Sequence, residues 1–319
     1  MENLAQITNN FNKKRIAVLG DLMLDQFVWG EAKRISPEAP VPVVFVKRET
    51  FVPGGAANTA SNIASLGGEV FLFGILGADK AGSQLLQELK IRKINTEGIL
   101  AKEDRKTTQK TRIVAQTQQI VRVDREDTDY ISQEDEKKLA LLLEERIQSL
   151  DGLVISDYGK GAVTGSLAAK AIELALKFNK IVIGNTKKPE HASYFRNASL
   201  LIANAEEASA ISNEKTLELS GSAIQKELLC NVMITQGPEG MTLFEKNERR
   251  HFPTKAKEVF DVSGAGDTVV SAFALSLASG AGFAEAAVIA NHAAGIAVGK
   301  IGTAVVLPAE LQSSLRETA

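Results

Sequence analysis

Short apolar runs rich in Val, Ile and Leu alternate along the chain with longer stretches in which apolar residues recur every three or four positions. The first pattern reads as strands buried on both faces, the second as helices laid against them. Core strands are predicted at residues 15–20, 69–76, 153–156, 180–184, 200–203 and 232–235. The helix predicted over 132–150 opens on Ser132-Gln133-Glu134-Asp135, a capping-box-like start, and sets Leu139, Leu142, Leu143 and Ile147 on one face. Such alternation predicts an α/β fold, a parallel sheet with helices on both sides.

Two segments, 41–52 and 107–124, break the alternation with period-two patterning and no partner helix. Thr111-Arg112-Ile113-Val114-Ala115 and Gln119-Ile120-Val121-Arg122-Val123 read as the arms of a hairpin turning at 116–118. They predict a small separate sheet, which over an active site would act as a lid; an antiparallel extension of the main sheet is the alternative. With no repeat, linker or low-complexity tract, 1–319 is expected to be one domain with an insertion.

Composition removes several classes of function. The 37 Lys and Arg against 39 Asp and Glu give a formal charge of −2, so no basic footprint for nucleic acid or an anionic membrane is expected. At 44% hydrophobic and 24% charged the chain matches a globular protein. A single cysteine forbids an internal disulfide framework, and the three histidines at 191, 251 and 292 are too scattered for a local metal motif. The expected setting is reducing and cytoplasmic. The N-terminus lacks a secretory pattern, and the weakly charged stretch 271–299 is interrupted by Gly280, Gly282, Glu285, Asn291 and His292, so it reads as two buried helices rather than a span.

The strongest local signal is Asp261-Val262-Ser263-Gly264-Ala265-Gly266-Asp267-Thr268, which opens a helical pattern. Small residues at a helix start leave backbone amides open, and the helix dipole adds positive potential: an anion site. Asp267 would repel a merely bound anion, but suits a base that takes a proton from a hydroxyl while the amides hold a transferring phosphoryl group. The bland alternative is a Gly-rich turn capped by Asp267. A second signal, Gly54-Gly55-Ala56-Ala57-Asn58, permits close backbone approach to a ligand, with Asn58 one turn into a helix. A third, Gly20-Asp21-Leu22-Met23-Leu24-Asp25, ends the first strand, where open α/β sheets place ligands, and its two acids suit a polyol. Gly159-Lys160-Gly161 has the wrong spacing for a dinucleotide fingerprint, no P-loop motif exists, and Cys230 reads as a packing residue.

In this order the three motifs resemble the ribokinase-like (PfkB-type) sugar kinases across essentially the whole chain. Within that family the stretch Arg34-Ile35-Ser36-Pro37-Glu38-Ala39-Pro40-Val41-Pro42-Val43-Val44 is similar to the heptose 7-phosphate kinases, as are Ser156-Asp157-Tyr158 with Lys160-Gly161, and Val298-Gly299-Lys300 with Gly302-Thr303. The resemblance implies a three-layer α/β/α sandwich with a β-sheet lid from about 22–52 and 105–125, and a homodimer formed through that lid. It implies ATP and Mg²⁺ as cofactors and a small sugar phosphate as substrate. Asp267 would be the base, with the amides of Gly264, Ala265 and Gly266 around the phosphoryl group. Sugar hydroxyls would fall to Asp21, Asp25, Gly54, Gly55 and Asn58, and the substrate phosphate to Arg34, Arg112, Arg122 or Lys160. Asn204-Ala205-Glu206-Glu207 matches the family's N-x-x-E, with Glu207 ordering magnesium through water. Asn185, Lys187, Thr235, Gly237 and Asn291 would line the nucleotide.

The chain departs from the heptose group at Asn185-Thr186-Lys187-Lys188, where D-P-K-G is usual, at Gln236 in place of a basic residue, and at Ile202-Ala203 in place of T-P. All three lie on the nucleotide side. There is no H-x-G-H nucleotidyltransferase motif, so activation of the product is expected to need a separate protein. The implied activity is phosphorylation of heptose 7-phosphate at its anomeric hydroxyl, towards ADP-heptose for lipopolysaccharide. A kinase for another sugar or sugar phosphate, and a catalytically weak sugar-phosphate-binding protein, stand beside it.

Overall fold

The computed structural model describes residues 2–116, 118–246, 248–300 and 302–317. Its strands, in chain order, are β1 (Arg15–Gly20), β2 (Leu22–Ile35), β3 (Pro42–Gly55), β4 (Glu69–Gly77), β5 (Asn95–Lys102), β6 (Thr108–Ala115), β7 (Gln118–Arg125), β8 (Gly152–Asp157), β9 (Ile181–Thr186), β10 (Leu200–Asn204), β11 (Asn231–Thr235), β12 (Met241–Glu245) and β13 (Glu248–Phe252). Among the described residues nine of these form one sheet, ordered β13-β12-β11-β10-β9-β8-β1-β4-β5, and four form another, ordered β3-β2-β6-β7.

The large sheet is parallel from β11 to β5, and only β12 and β13 run antiparallel. Its central strand shows why the apolar runs are unbroken. Ile16 and Val18 pack into one helix layer while Ala17 and Leu19 pack into the other, all of them buried. The first layer holds the helices Ala56–Ser65, Lys80–Ile91, Ala265–Ala278, Phe283–Val298 and Pro308–Glu317; the second holds Gln133–Ile147, Gly165–Lys177, Ala205–Ser212 and Leu217–Leu228. This is a three-layer α/β/α sandwich with a smaller second sheet, the architecture that the sequence resemblance implies.

The predicted helix over 132–150 is Gln133–Ile147, its first turn capped by the Ser132 hydroxyl, which accepts from the Asp135 amide at 3.1 Å. Leu139, Leu143 and Ile147 are buried as expected, whereas Leu142 is only half-buried. Three strands were not anticipated: β5, β12 and β13. β5 and β13 are the two edge strands of the large sheet, where one-sided burial and charged residues dilute the apolar run, and β12 is a short antiparallel strand between β13 and β11. No helix among the described residues is long and apolar enough to cross a membrane.

The second sheet is mixed, β2 pairing parallel with β6 and antiparallel with β3, while β6 pairs antiparallel with β7. Of the turn predicted at 116–118, Thr117 lies outside the described residues. A single residue, Asp21, separates β1 from β2, and β3 passes directly into the helix Ala56–Ser65. The second sheet therefore stands on the C-terminal edge of the first. The strand order reverses at β1, with β8 on one side and β4 on the other, which places a crevice at that edge.

Candidate active site

Asp267 lies in the first turn of the helix Ala265–Ala278, and Gly264 caps it with a φ of +81°. That left-handed conformation is strained for any residue with a Cβ, and a Cβ there would stand 3.0 Å from Nδ2 of Asn58. The glycine thus lets two helix starts meet. Asn58 and Thr59, in the first turn of Ala56–Ser65, donate to Asp267: Asn58 Nδ2 to Oδ2 at 2.6 Å, Thr59 Oγ1 to Oδ1 at 3.1 Å. A third donor arrives from the end of β8, the Tyr158 hydroxyl, 2.7 Å from Oδ1. The carboxylate is only 6% exposed. Burial pushes its carboxyl above the usual range, while the hydrogen bonds from Tyr158, Asn58 and Thr59 and the charge of Lys187 pull it back. Burial and the neighbouring Asp267 charge push the Tyr158 phenol well above its ordinary value, so it remains a donor.

Beside Asp267, Ala265 and Gly266 line a cavity of about 320 Å³ together with Thr235, Gly237 and Asn291. Its remaining walls are mostly apolar, among them Val262, Val269, Ala294 and Val298. Open space lies beyond both Gly237 and Gly266, where an added Cβ would meet nothing. Five residues assigned from sequence to one ligand are thus brought around one cavity. The three-amide cradle is corrected in part: the Ala265 amide donates to the Val262 carbonyl at 3.2 Å, closing the turn into the helix.

On the second sheet, Asp25 is buried and accepts from Nη1 of Arg112 at 2.6 Å. Gly54 lies against it, close enough that a Cβ there would stand 2.7 Å from Oδ2 of Asp25. Gly55, with a φ of +58°, carries the chain from β3 into the helix that holds Asn58. Arg122 faces Arg112 across the β6–β7 ladder but is exposed and bonds Asp124 at 2.9 Å. Lys160 joins the loop after β8 to the second sheet through Glu126, at 2.9 Å.

Several expectations change. Asp21 is 1% exposed, and its carboxylate accepts the backbone amides of Tyr158, Lys160 and Ala162 at 2.7, 3.0 and 3.0 Å. It clamps a loop, so its oxygens are not presented to a polyol. Arg34 lies at the far, exposed end of β2 with its guanidinium over Phe45, away from Asp267. Asn185 is buried and donates to the Ile202 carbonyl at 2.9 Å, tying β9 to β10. The N-x-x-E segment is a capping box: Asn204 Oδ1 accepts the Glu207 amide at 2.8 Å, and Glu207 Oε2 accepts the Asn204 amide at 2.9 Å. Ala205 and Glu206 are exposed in the first turn of that helix. Glu207 Oε1 pairs with Lys187 Nζ at 2.7 Å. Tyr158 and Thr59 were missed as site residues. Thr59 is signalled only by its place beside Asn58, and Tyr158 by its place at a strand end.

This cleft belongs to a phosphotransferase. The model of the pfkB family of carbohydrate kinases matches residues 13–310, and the chain belongs to that family. It is a carbohydrate kinase, transferring phosphate to an alcohol group. Among similar proteins, the "Bifunctional protein HldE" of Desulfatibacillum aliphaticivorans is 40% identical over 96% of this chain, and that of Geobacter sulfurreducens is 43% identical over 93%. The chain spans 64% and 62% of those two relatives' lengths. Solved structures of like fold include Arabidopsis thaliana ribokinase complexed with ribose and ATP (TM-score 0.73, 19% identity, 95% of this chain and 98% of that one). Escherichia coli phosphofructokinase-2 in complex with potassium gives a TM-score of 0.75 at 19% identity, over 96% of this chain and 99% of that one.

Proposed function

We propose that the protein transfers the terminal phosphoryl group of ATP to the anomeric hydroxyl of D-glycero-β-D-manno-heptose 7-phosphate, giving heptose 1,7-bisphosphate for ADP-heptose and lipopolysaccharide synthesis. The observation that carries the chemistry is a buried carboxylate, Asp267, at a helix start beside an open, glycine-edged cavity. Support for the sugar comes from the S-P-E-A-P-V-P stretch at residues 36–42 and from the HldE relatives.

In the proposed reaction Asp267 accepts the proton of the sugar hydroxyl as its oxygen bonds to phosphorus, and the bond from that phosphorus to the bridging oxygen of ADP breaks. Gly266 and the helix dipole bring positive potential to the developing charge. Thr235, Gly237 and Asn291 border the nucleotide, and the apolar walls suit a base. Magnesium, when bound, neutralises phosphate charge. Among the described residues no group of three or more His, Cys, Asp or Glu could hold a metal ion, and Glu207 already answers Lys187 and an amide. The donor set therefore suits a metal held through water. Asp25, Gly54, Gly55 and Asn58 border the sugar, under a second sheet that acts as a lid. Exposed Phe45, Val46, Val121 and Val123 on that sheet suit contact with a second copy of the chain.

A panel of sugar phosphates, with ADP formation as readout, tests the reading. Heptose 7-phosphate is expected to give the highest kcat/KM. Preference for another sugar phosphate would assign a different acceptor. Tight binding of heptose 7-phosphate without ADP formation would make the protein a sensor.

A further inference from the structure

Asp267 offers four lone-pair positions on two oxygens, and three are filled by protein donors. Oδ1 takes two, from Tyr158 and Thr59, whereas Oδ2 takes only Asn58. The oxygens are thus unequal, and an incoming hydroxyl finds its opening on Oδ2.

Tyr158 sits on a loop whose amides are held by two buried carboxylates. Asp21 grips the amides of Tyr158, Lys160 and Ala162 from below. Asp157, itself fully buried, accepts the Gly159 amide at 2.9 Å on Oδ1, the Thr186 hydroxyl at 2.7 Å on Oδ2, and stands 2.8 Å from Nδ1 of His191. Two buried carboxylates therefore fix the amides of Tyr158, Gly159, Lys160 and Ala162. This platform stands at the end of β8 and carries the Tyr158 side chain to Asp267. Its product is the placement of one phenol hydroxyl.

Resting on the kinase reading above, we infer that Tyr158 is a positioning residue for phosphoryl transfer: its hydroxyl occupies Oδ1 of Asp267 and leaves Oδ2 as the oxygen that receives the substrate's proton. The phenol also favours the ionised carboxylate, since it donates to the charged form. A donor held in place before the substrate arrives needs no rearrangement during the reaction.

The test is the pH dependence of kcat/KM for wild type and Tyr158→Phe, with the sugar phosphate that wild type phosphorylates, beside a ¹³C titration of the aspartate carboxyls in the free proteins. Asp267→Asn identifies the Asp267 resonance. Loss of the hydroxyl removes a contact that lowers the carboxyl's pKa, so the acid limb and the Asp267 titration both move to higher pH. At its optimum kcat falls by roughly 10-fold, short of the ~10²–10⁴ of a lost base, with the sugar-phosphate KM within about twofold. An unmoved titration and acid limb, or a loss confined to KM, overturns the inference. If wild type phosphorylates no sugar phosphate, the kinase reading fails by itself, and the carboxyl titration still decides whether Tyr158 governs Asp267.

Discussion

Arg112 reaches from β6 to Asp25 on β2, its Nη1 2.6 Å from Oδ1, with its guanidinium over the Phe27 ring. The pair joins two strands of the second sheet at the level of the glycine corner, and Asp25 is buried. Arg122, its cross-strand neighbour, is exposed and answers only a residue of its own strand. The two arginines, alike in sequence, differ in what their removal does. A hydrogen bond to a charged group contributes about 1.5–3 kcal/mol, an exposed pair about 0–1 kcal/mol. Arg112→Ala is expected to raise the sugar-phosphate KM by roughly 10-fold or more and leave the ATP KM nearly unchanged. Arg122→Ala should alter either constant by less than about threefold. Equal effects of Arg112→Ala on both substrates would make the pair purely structural.

Asp267→Asn keeps the shape of the site and removes the base. Turnover is expected to fall by roughly 10²–10⁴-fold, while ATP affinity, read by calorimetry, stays close to wild type. Undiminished turnover would remove Asp267 from the chemistry.

The same substitution should change how the fold's stability depends on pH. Burial raises the carboxyl's pKa in the folded protein, so its contribution to stability is fully present below the ordinary aspartate pKa and is lost as pH rises through the raised value. Asparagine undergoes no such loss. Asparagine therefore gains on the wild type as pH rises, while its own cost, an amide NH2 set against one of three donors, is the same at every pH. A melting-point difference between the two proteins that does not change with pH would contradict this.

Much of this arrangement was legible in the chain before folding, and the division has physical causes. Strands such as β1 and β10, buried on both faces, must be apolar throughout and announce themselves. β5 and β13 sit at sheet edges and carry charges that a buried strand excludes. Asp267 was readable because a helix start with bare amides is a local motif. Tyr158 was not, because its bond to Asp267 joins positions 109 residues apart and exists only after β8 and the Ala265–Ala278 helix meet. Asp21 and Asp25 look equivalent in sequence, yet one turns under the sheet to hold a loop and the other turns towards Arg112. Only the fold separates them.

The proposed contact with a second copy of the chain would use exposed apolar residues of the second sheet. Val121 and Val123 alternate with Arg122 along β7 and project from its opposite side, both exposed, and the register puts exposed Val46 of β3 on that same side. Val123→Asp combined with Val46→Asp is expected to convert a dimer to a monomer in sedimentation velocity. A wild type that already sediments as a monomer at tens of micromolar would exclude this contact.

Cys230 is buried before β11, and burial pushes its thiol up to about 12. Almost no thiolate is present at neutral pH, so iodoacetamide should leave the native protein unlabelled over an hour and label the unfolded chain fully. Rapid labelling of the native form, followed by mass spectrometry, would show an accessible thiol.

β3 enters the helix of Asn58 and Thr59 with no linker between them. The junction is Gly54-Gly55, with Gly55 at a φ of +58°. The strand end that lays Gly54 against Asp25 and the helix turn that brings Asn58 to Asp267 are thus a single short stretch of backbone, so the two halves of the cleft share one anchor.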